Sequence, residues 1–409
     1  MVMAKRPTLK RALSLPLITL YGLGTTIGAG IFVLIGKVTG MAALHAPLAF
    51  LVAAILAGFS AFTFAELGSR LPRSAGAALY VREGLGSVAL ARLVGVMVAT
   101  AGIITAATIT TGAVGYARLL LDAPHWAWVT FFVVALVFLA AWGIEESVTV
   151  AATFTVIEIA IILAAIWFGR DSLGALPGKL DEIAPPLALA GWAPILAGAA
   201  IAFFAYLGFE DMVNVAEEVK DVGRNLPLAI LLTLGVSTAL YVCLTLVAVL
   251  SLPLPELTVS EAPMVLLLGK GLVIPPVAAA LITLFAVLNG ALIQIIMASR
   301  MLYGMTAEGW VPGPFGRIHP RTQTPIIATV FAGTAVLILA SVFDIVFLAE
   351  AASTLVLAIF ALANLSLWRL KRRHPAPVAG FTVPVWVPVV GFFVSAAFAF
   401  YQVMRAFGL

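Results

Sequence analysis

Long apolar runs separated by short polar segments repeat along the whole chain. A run of about 20 apolar residues can cross the hydrocarbon core of a bilayer as a helix. The run from Trp126 to Trp142, for example, contains no charged residue. Eleven such runs predict eleven membrane-spanning helices. The predicted spans are roughly 15–38, 43–68, 88–113, 124–143, 147–169, 194–216, 226–251, 273–300, 325–343, 347–368 and 384–405.

The composition supports this prediction and excludes several other classes of protein. Of the 409 residues, 63% are hydrophobic and only 10% are charged, whereas a soluble domain carries about 25% charged residues. The single cysteine, Cys243, excludes an internal disulfide framework, and the four histidines form no pair with metal-ligand spacing. We therefore expect neither a metal site nor a cofactor. The modest net charge of +4 fits basic loops on one side of a membrane better than a nucleic-acid partner.

Lysine and arginine are distributed unevenly between alternate connecting segments. With the N-terminus in the cytoplasm, most of the 23 lysine and arginine residues lie on the cytoplasmic side, as the positive-inside rule requires. The basic N-terminal stretch precedes an apolar run that extends to about Val38 without a small-residue cleavage site, so we interpret it as an uncleaved first span. We predict a multi-pass protein of the inner (cytoplasmic) membrane with a cytoplasmic N-terminus.

The first and sixth predicted spans contain residues that interrupt helices. The first carries four glycines between Gly22 and Gly30, and the sixth carries Gly208 beside Glu210 and Asp211. Glycine in a helix interior costs about 1 kcal/mol relative to alanine, and the free backbone groups of a broken helix must face protein, ligand or water. Two such interruptions five spans apart are typical of the binding site in a transporter with inverted repeats. The glycines could instead serve close helix packing.

Four stretches of the sequence carry a resemblance to a known superfamily. They are GLGTTIGAGIF (22–32), FAELGSRLPRSAGAALY (64–80), FFAYLGFEDMVNVAEEVKDVGRNLP (203–227) and ASRMLYGMTAEGWVPGPFGRIHPRTQTP (298–325). Together they resemble the amino acid–polyamine–organocation permeases, most closely a bacterial or archaeal permease similar to the cationic amino acid transporter branch. The resemblance extends in order over essentially the whole chain.

The resemblance implies an all-α integral membrane protein with a LeuT-type five-plus-five inverted repeat. Helices 1 and 6 would be discontinuous, among about 11 transmembrane helices. We expect one transporter domain, 1–409, with the first repeat at about 13–170 and the second at about 192–370. An extra helix would follow at about 384–405.

The interruption in the first span is one half of the candidate substrate site. Free amides around Gly28, Ala29 and Gly30, together with the positive end of the following half-helix, suit a carboxylate. The resemblance places the α-carboxylate of the substrate at this point. Thr26 and Ile27 would supply carbonyl or hydroxyl oxygens for the α-ammonium group.

The interruption in the sixth span supplies the other half. Unwound carbonyl groups near Ala205 and Gly208 could accept hydrogen bonds from an ammonium group. By resemblance, the aromatic ring of Phe204 or Tyr206 would close over the substrate, where a cation–π contact contributes on the order of 1 kcal/mol. Both rings could instead be ordinary core or lipid contacts.

Two acidic residues are candidates for proton coupling or gating. Glu158 lies in the fifth predicted span, which contains no lysine or arginine, whereas proton-coupled members of the resembled superfamily carry a lysine around this point. Glu158 could carry the proton itself, ligate a cation, or form a hydrogen bond to a neighbouring helix as a neutral carboxyl group. Glu210 could act as a gate or hold the broken helix by accepting backbone hydrogen bonds. We expect Asp211 to be solvated or structural.

A few further polar residues have structural or cavity-lining interpretations. Glu66 and Arg70 stand four residues apart and can pair along one face of the second span. Asn289, Thr105 and Thr108 could line a cavity or form hydrogen bonds between helices. No acidic residue is expected to face the side-chain pocket, which mildly favours neutral amino acids as substrates; Glu210 or a residue of the third span could still serve a cationic side chain.

These features predict a secondary active transporter that moves amino acids across the membrane by alternating access, most simply as a proton-coupled symporter. Sodium is the other candidate coupling ion, and membrane lipid is the expected surrounding; no nucleic acid is expected, and the oligomeric state stays open. The alternatives are an exchanger of amino acids or polyamines, a channel, and a sensor with the same fold. No HExxH, GxSxG or GxxxxGK[ST] motif is present, so we predict that the chain is not an enzyme and does not use ATP.

Overall fold

The computed structural model describes residue 11 and residues 13–28, 30–73, 76–142, 148–271, 275–307, 309–322, 324–374 and 380–406. These residues form α-helices, short 3-10 helices and connecting turns, with one isolated β-bridge between Leu13 and Val219. The prediction of an all-α protein is therefore confirmed. The helices are α1 Leu15–Ile27, α2 Gly30–Ala42, α3 Ala46–Arg70, α4 Gly76–Leu85, α5 Val88–Arg118, α6 His125–Trp142, α7 Val148–Gly169, α8 Leu176–Ile183, α9 Trp192–Ala202, α10 Val222–Ser251, α11 Leu254–Val259, α12 Pro263–Leu268, α13 Pro276–Ala307, α14 Ile326–Val342, α15 Ile345–Arg373 and α16 Trp386–Ala406.

Nine helical stretches in the described ranges are long and apolar enough to cross a membrane, and two shorter apolar helices, α1 and α14, accompany them. Each of the eleven predicted spans overlaps at least one of these helical stretches. The number of membrane crossings stays a prediction, because α2 and α3 follow each other with only a 3-10 turn between them. α15 runs to Arg373, past the predicted end of its span at 368.

Helix α6 illustrates why this chain needs an apolar surrounding. One side of the helix packs into the protein, where Phe132 and Leu136 are buried. The opposite side exposes Phe131, Phe138 and Trp142 to the outside, each by more than half of its surface. A large exposed apolar face is unfavourable in water and favourable against lipid chains. The fold is therefore that of a multi-pass membrane protein.

The packing of the helices brings the two glycine-rich regions to the centre of the molecule. α1 packs against α10 and α7, and α2 packs against α9. α3 lies against α9 and α10, and α5 lies against α13 and α15. The 3-10 segment that continues α9 contacts both α1 and α2. The ends of α1 and α9 consequently meet inside the bundle.

A buried ion cluster joins the ends of α3 and α15 to the segment before α16. We call it the Glu66 cluster; its members are Glu66, Arg70, Lys371, Thr382 and Val383. The Glu66 carboxylate is fully buried and accepts hydrogen bonds from Lys371 Nζ at 2.6 and 2.7 Å, Arg70 Nε at 2.7 Å and the Val383 backbone N at 2.7 Å. The predicted Glu66–Arg70 pair is present, and Lys371 adds a partner from the last turn of α15. This cluster holds α16 against the rest of the bundle.

Candidate functional site

The α-helix of the first predicted span stops in the middle of the apolar stretch. α1 ends at Ile27, Gly28 is in a turn, and α2 begins at Gly30. Ala29, a predicted substrate-binding residue, lies outside the described residues. The first amides of α2 have no acceptor within their own helix, so this end of α2 can bind an anion.

The sixth predicted span is interrupted in a different way. α9 ends at Ala202 and continues as a 3-10 turn to Tyr206, after which Leu207 is extended. Gly208 has φ of 122°, and a second 3-10 segment then runs from Phe209 to Glu218. Glycine is required at 208 because a side chain is strained at that φ and because a Cβ atom there would lie 2.5 Å from the carbonyl oxygen of Thr25.

The two interruptions touch each other backbone to backbone. A Cβ atom on Gly30 would lie 2.3 Å from the Cα atom of Ala205, so only glycine permits this approach. The Thr25 hydroxyl donates a hydrogen bond to the carbonyl oxygen of Gly208 at 3.1 Å. The structure thus brings together the residues that the sequence predicted for both halves of the substrate site.

Tyr241 on α10 connects the same two segments, and our reading of the sequence did not single it out. Its hydroxyl group lies 3.0 Å from the carbonyl oxygen of Thr26 and 2.9 Å from that of Ala205. Both carbonyl groups belong to interrupted backbone, and the hydroxyl is a shared donor to them. The tyrosine is completely buried. The signal in the sequence is weak, because Tyr241 shares its span with other hydroxyl residues such as Ser237 and Thr238.

A small cavity, which we call the narrow cavity, lies between the two interruptions. Predicted site residues Thr26, Gly30 and Phe204 line it, and so does Thr105 of α5. The Thr26 hydroxyl has no hydrogen-bond partner among the described residues. The full lining consists of Thr25, Thr26, Gly30, Thr105, Ile109, Phe204, Leu207, Gly290, Ile293 and Gln294.

Other predicted residues lie beside the narrow cavity without lining it. Ile27 is fully buried in the core. Tyr206 packs against Tyr241 with ring centroids 5.2 Å apart. Gly28 faces Gly290 of α13 and the side chain of Glu158. These residues are in contact with the site through packing and backbone rather than through a side chain in the cavity.

Glu158 of α7 is completely shielded from solvent beside the first interruption. A Cβ atom on Gly28 would lie 3.9 Å from its Oε1 atom. Asn289 of α13 is its polar neighbour. Neither carboxyl oxygen of Glu158 nor the amide nitrogen of Asn289 forms a hydrogen bond of normal geometry with a described residue. A buried carboxyl group in this state is destabilising as an anion and is therefore available to a proton or a cation.

Glu210 follows the second interruption, and its carboxyl group is hydrogen-bonded to the interrupted backbone. Its Oε2 atom accepts a hydrogen bond from the backbone N of Gly208 at 2.8 Å. This contact matches the interpretation in which Glu210 holds the broken helix by satisfying a free backbone donor.

A second, larger cavity, which we call the wide cavity, adjoins the narrow cavity. The two cavities share Thr105, Leu207 and Gln294 in their linings. Glu210 and Asp211 both line the wide cavity, so Asp211 is part of a cavity wall rather than of a loop in open solvent. The full lining consists of Phe64, Ala77, Val98, Ala101, Gly102, Thr105, Leu207, Gly208, Glu210, Asp211, Asn214, Gln294, Val356 and Ile359.

The fold and the site define the class of protein: a multi-pass helical membrane protein with interrupted helices around central cavities. A family model described as amino acid permease matches residues 13–407, so the chain belongs to the amino acid permease family. Members of this family are transporters rather than enzymes, which confirms both the resemblance and the prediction that the chain is not an enzyme.

Curated relatives agree with the family. The chain is 30% identical to the methylthioribose transporter of Bacillus subtilis (strain 168), over 95% of this chain and 87% of the relative. It is 28% identical to the branched-chain amino acid permease BcaP of the same organism, over 94% of this chain and 85% of the relative. It is also 32% identical to cationic amino acid transporter 2, vacuolar, of Arabidopsis thaliana, over 90% of this chain but only 61% of the plant protein.

Proposed function

We propose that this protein is a secondary active transporter that moves amino acids across the cytoplasmic membrane by alternating access, coupled to protons. The observation that carries the proposal is the contact between two interrupted helices beside a central cavity. In transporters built from inverted repeats, substrates and coupling ions bind at such interruptions. Two of the three relatives named above are carriers of amino acids, which supports an amino acid as the substrate.

The proposed architecture is a LeuT-type five-plus-five inverted repeat in one transporter domain, 1–409. The first repeat, about 13–170, would contain α1 to α7, and the second, about 192–370, would contain α9 to α15. α1 with α2 would be the discontinuous first span, and α9 with its 3-10 continuation the discontinuous sixth span. α16 would be the extra helix, and the N-terminus would lie in the cytoplasm.

The substrate would bind in the narrow cavity with its α-carboxylate at the start of α2. The amides around Gly28, Ala29 and Gly30 would hold the carboxylate, because the positive end of a helix favours an anion. The unpartnered hydroxyl of Thr26 would bind the substrate as well. Phe204 lines the cavity and is the aromatic ring that we propose to close over the ammonium group.

Glu158 is the proposed proton carrier. It is buried beside the first interruption with no hydrogen bond of normal geometry to a described residue, so protonation removes the large unfavourable energy of a buried, poorly paired charge. Protonation would therefore change the energy of the packing around Gly28 and bias the transporter toward one of its two states. A sodium ion at the same carboxylate is the alternative that the experiment must separate.

The experiment is uptake of radiolabelled amino acids into proteoliposomes, with imposed proton or sodium gradients. We expect a proton gradient to drive concentrative uptake by the wild type. Glu158→Gln removes the titrating group while keeping its size, so we expect the variant to lose gradient-driven uptake but to retain exchange between internal and external amino acid. Glu261→Gln, at an exposed carboxyl group paired with Arg118, is the control and should behave as the wild type.

Other outcomes are informative in different ways. Proton-driven uptake that survives in Glu158→Gln would exclude Glu158 as the proton carrier and leave Glu210 as the next candidate. Stimulation by sodium alone would replace proton coupling by sodium coupling. Uptake that requires amino acid inside the vesicle, in the wild type, would make the protein an exchanger. No uptake and no exchange of any amino acid would contradict the proposed function.

A further inference from the structure

The end of α15 carries a concentration of positive charge. From 351 to 409 the chain contains five lysine and arginine residues and no aspartate or glutamate. Four of the five lie within the last five residues of α15, namely Arg369, Lys371, Arg372 and Arg373. The charge of this helix end must therefore be balanced by another part of the fold or by a partner.

The fold balances only part of this charge. Lys371 is buried and donates to the Glu66 carboxylate at 2.6 Å, and Arg70 of α3 donates to the same carboxylate at 2.7 Å. Two cations thus share one anion, so the Glu66 cluster keeps a positive charge. α4 packs against α15, but its acidic residue, Glu83, directly follows Arg82 and adds no net negative charge.

Arg372 and Arg373 are exposed at the very end of the helix. Neither forms an ion pair with a described residue. The guanidinium carbon of Arg372 lies 4.3 Å from the ring centroid of Trp368, one turn earlier. Tryptophan is enriched where membrane-spanning helices meet the lipid headgroups, and a stacked guanidinium group keeps its N–H donors free. The two arginines are therefore placed to bind an anion at the level of the headgroups.

An exposed aromatic surface lies at the same end of the bundle, around the start of α16. Trp386 is exposed by more than half of its surface, and the exposed ring of Phe62 on α3 stacks on Phe381. Thr382 connects this surface to the last turn of α15, because its hydroxyl lies 3.2 Å from Nζ of Lys371. Apolar contacts for lipid chains and donors for a headgroup thus occur together.

We propose that this end of α15 is a binding site for an anionic phospholipid. Arg372 and Arg373 would hold the headgroup phosphate, since a guanidinium group can form two parallel hydrogen bonds with phosphate oxygens. The aromatic surface around Trp386 would contact the acyl chains. Anionic lipids are concentrated in the cytoplasmic leaflet, and the proposed topology places this end of the bundle there. The inference rests on that part of the proposed function.

The test is native mass spectrometry of the full-length protein in detergent, titrated with phosphatidylglycerol or with phosphatidylcholine of the same acyl chains. We expect the wild type to bind phosphatidylglycerol about tenfold or more tightly, since each arginine near an anionic lipid strengthens binding by about fivefold. Arg372→Gln/Arg373→Gln should lose this preference, and Arg372→Lys/Arg373→Lys, which keeps the charge, should retain part of it. Arg317→Gln/Arg321→Gln is the matched control, because it removes the same charge from exposed residues on the same proposed side of the membrane.

Thermal unfolding provides a second measurement. A lipid that binds the folded protein raises its stability, so phosphatidylglycerol should raise the Tm of the wild type and of the control more than phosphatidylcholine does. The Arg372→Gln/Arg373→Gln protein should lose this difference. Its Tm without lipid should equal that of the wild type, because neither arginine belongs to the Glu66 cluster. If it unfolds instead, the lipid preference of the wild type and of the lysine variant decides the question.

Three results would overturn the site. The first is a wild type that binds both lipids equally, and the second is a preference that survives in Arg372→Gln/Arg373→Gln. The third is an equal loss in the control, which would show a general attraction of this surface to anionic lipid. Displacement of the lipid by soluble glycerol phosphate at equal concentration would contradict the acyl contacts. Lipid binding requires no transport, so failure of amino acid uptake would leave this inference standing, and the reverse also holds.

Discussion

Two glutamates, Glu66 and Glu158, are each completely shielded from solvent, yet their surroundings are opposite. Glu66 accepts hydrogen bonds from Lys371, Arg70 and the backbone of Val383. Glu158 accepts no hydrogen bond of normal geometry from any residue that the structure describes. Burial alone therefore does not identify a functional carboxyl group; the difference lies in whether the protein satisfies the charge.

The contrast extends from the two side chains to the regions around them. The Glu66 cluster fixes the ends of α3 and α15 with ion pairs, which resist separation because each charge depends on the other. The centre of the molecule is held by close backbone contact at Gly30 and Gly208 and by single hydroxyl groups. A region held in the second way can rearrange at a lower energetic cost, as alternating access requires.

The largest expected effect comes from removing the charge of Glu66. Glu66→Gln leaves Lys371 buried, only 7% exposed, without an anionic partner, which costs about 3–5 kcal/mol of folding free energy. Glu158→Gln loses no hydrogen bond of normal geometry to a described residue and should change stability by less than about 0.5 kcal/mol. Chemical denaturation in detergent micelles measures both. Equal destabilisation by the two substitutions would show that Glu158 has a structural partner after all.

The main features of the central region could be predicted from the sequence, but the pairing that completes the Glu66 cluster could not. The spans and both interruptions follow from local properties, namely run length, hydropathy and the glycines near 28 and 208. Glu158 and Glu210 are conspicuous because a charge within an apolar run is rare. The pairing of Lys371 with Glu66 joins positions 305 residues apart, and no local pattern specifies which helix end meets which.

The same limit applies to the polar residues that complete the site. Tyr241 meets Thr26 across 215 positions, and Gln294 meets Asp211 across 83. Both contacts depend on how the helices pack around the interruptions. A tyrosine or a glutamine in a span is more often an ordinary packing or interhelical residue, so no sequence pattern distinguishes these two from other polar residues. Asp211 was expected to be solvated or structural, because the sequence does not show that the wide cavity reaches it.

The second-largest expected effect tests whether close backbone contact holds the central region together. Gly208→Ala forces a side chain into a backbone conformation with φ of 122° and places its Cβ atom 2.5 Å from the Thr25 carbonyl oxygen. We expect a loss of about 1–3 kcal/mol in stability together with loss of uptake. Gly235→Ala on α10 is the matched control, since its Cβ atom would meet nothing within 4 Å and alanine favours a helix. A Gly208→Ala protein as stable and active as the control would contradict the proposed role of the interruption.

A smaller change in stability than that of Gly208→Ala, and one that is more informative about function, is expected for the hydroxyl of Tyr241. Tyr241→Phe keeps the ring but removes the shared donor to the carbonyl oxygens of Thr26 and Ala205, which costs about 1 kcal/mol. Because this hydroxyl positions both interrupted segments without lining the narrow cavity, we expect the maximal rate of uptake to fall by about tenfold with a smaller change in KM.

Tyr116→Phe separates that functional effect from a loss of stability. The hydroxyl of Tyr116 is also buried and donates to a backbone carbonyl, that of Phe32 within α2, at 2.5 Å. It binds regular helix and does not bridge the two interruptions. We expect a similar loss of stability and little change in the maximal rate of uptake. If both variants lose transport equally, the central region depends on buried hydroxyl groups for its stability in general. The central region and the Glu66 cluster would then differ in how strongly they are held together, not in function.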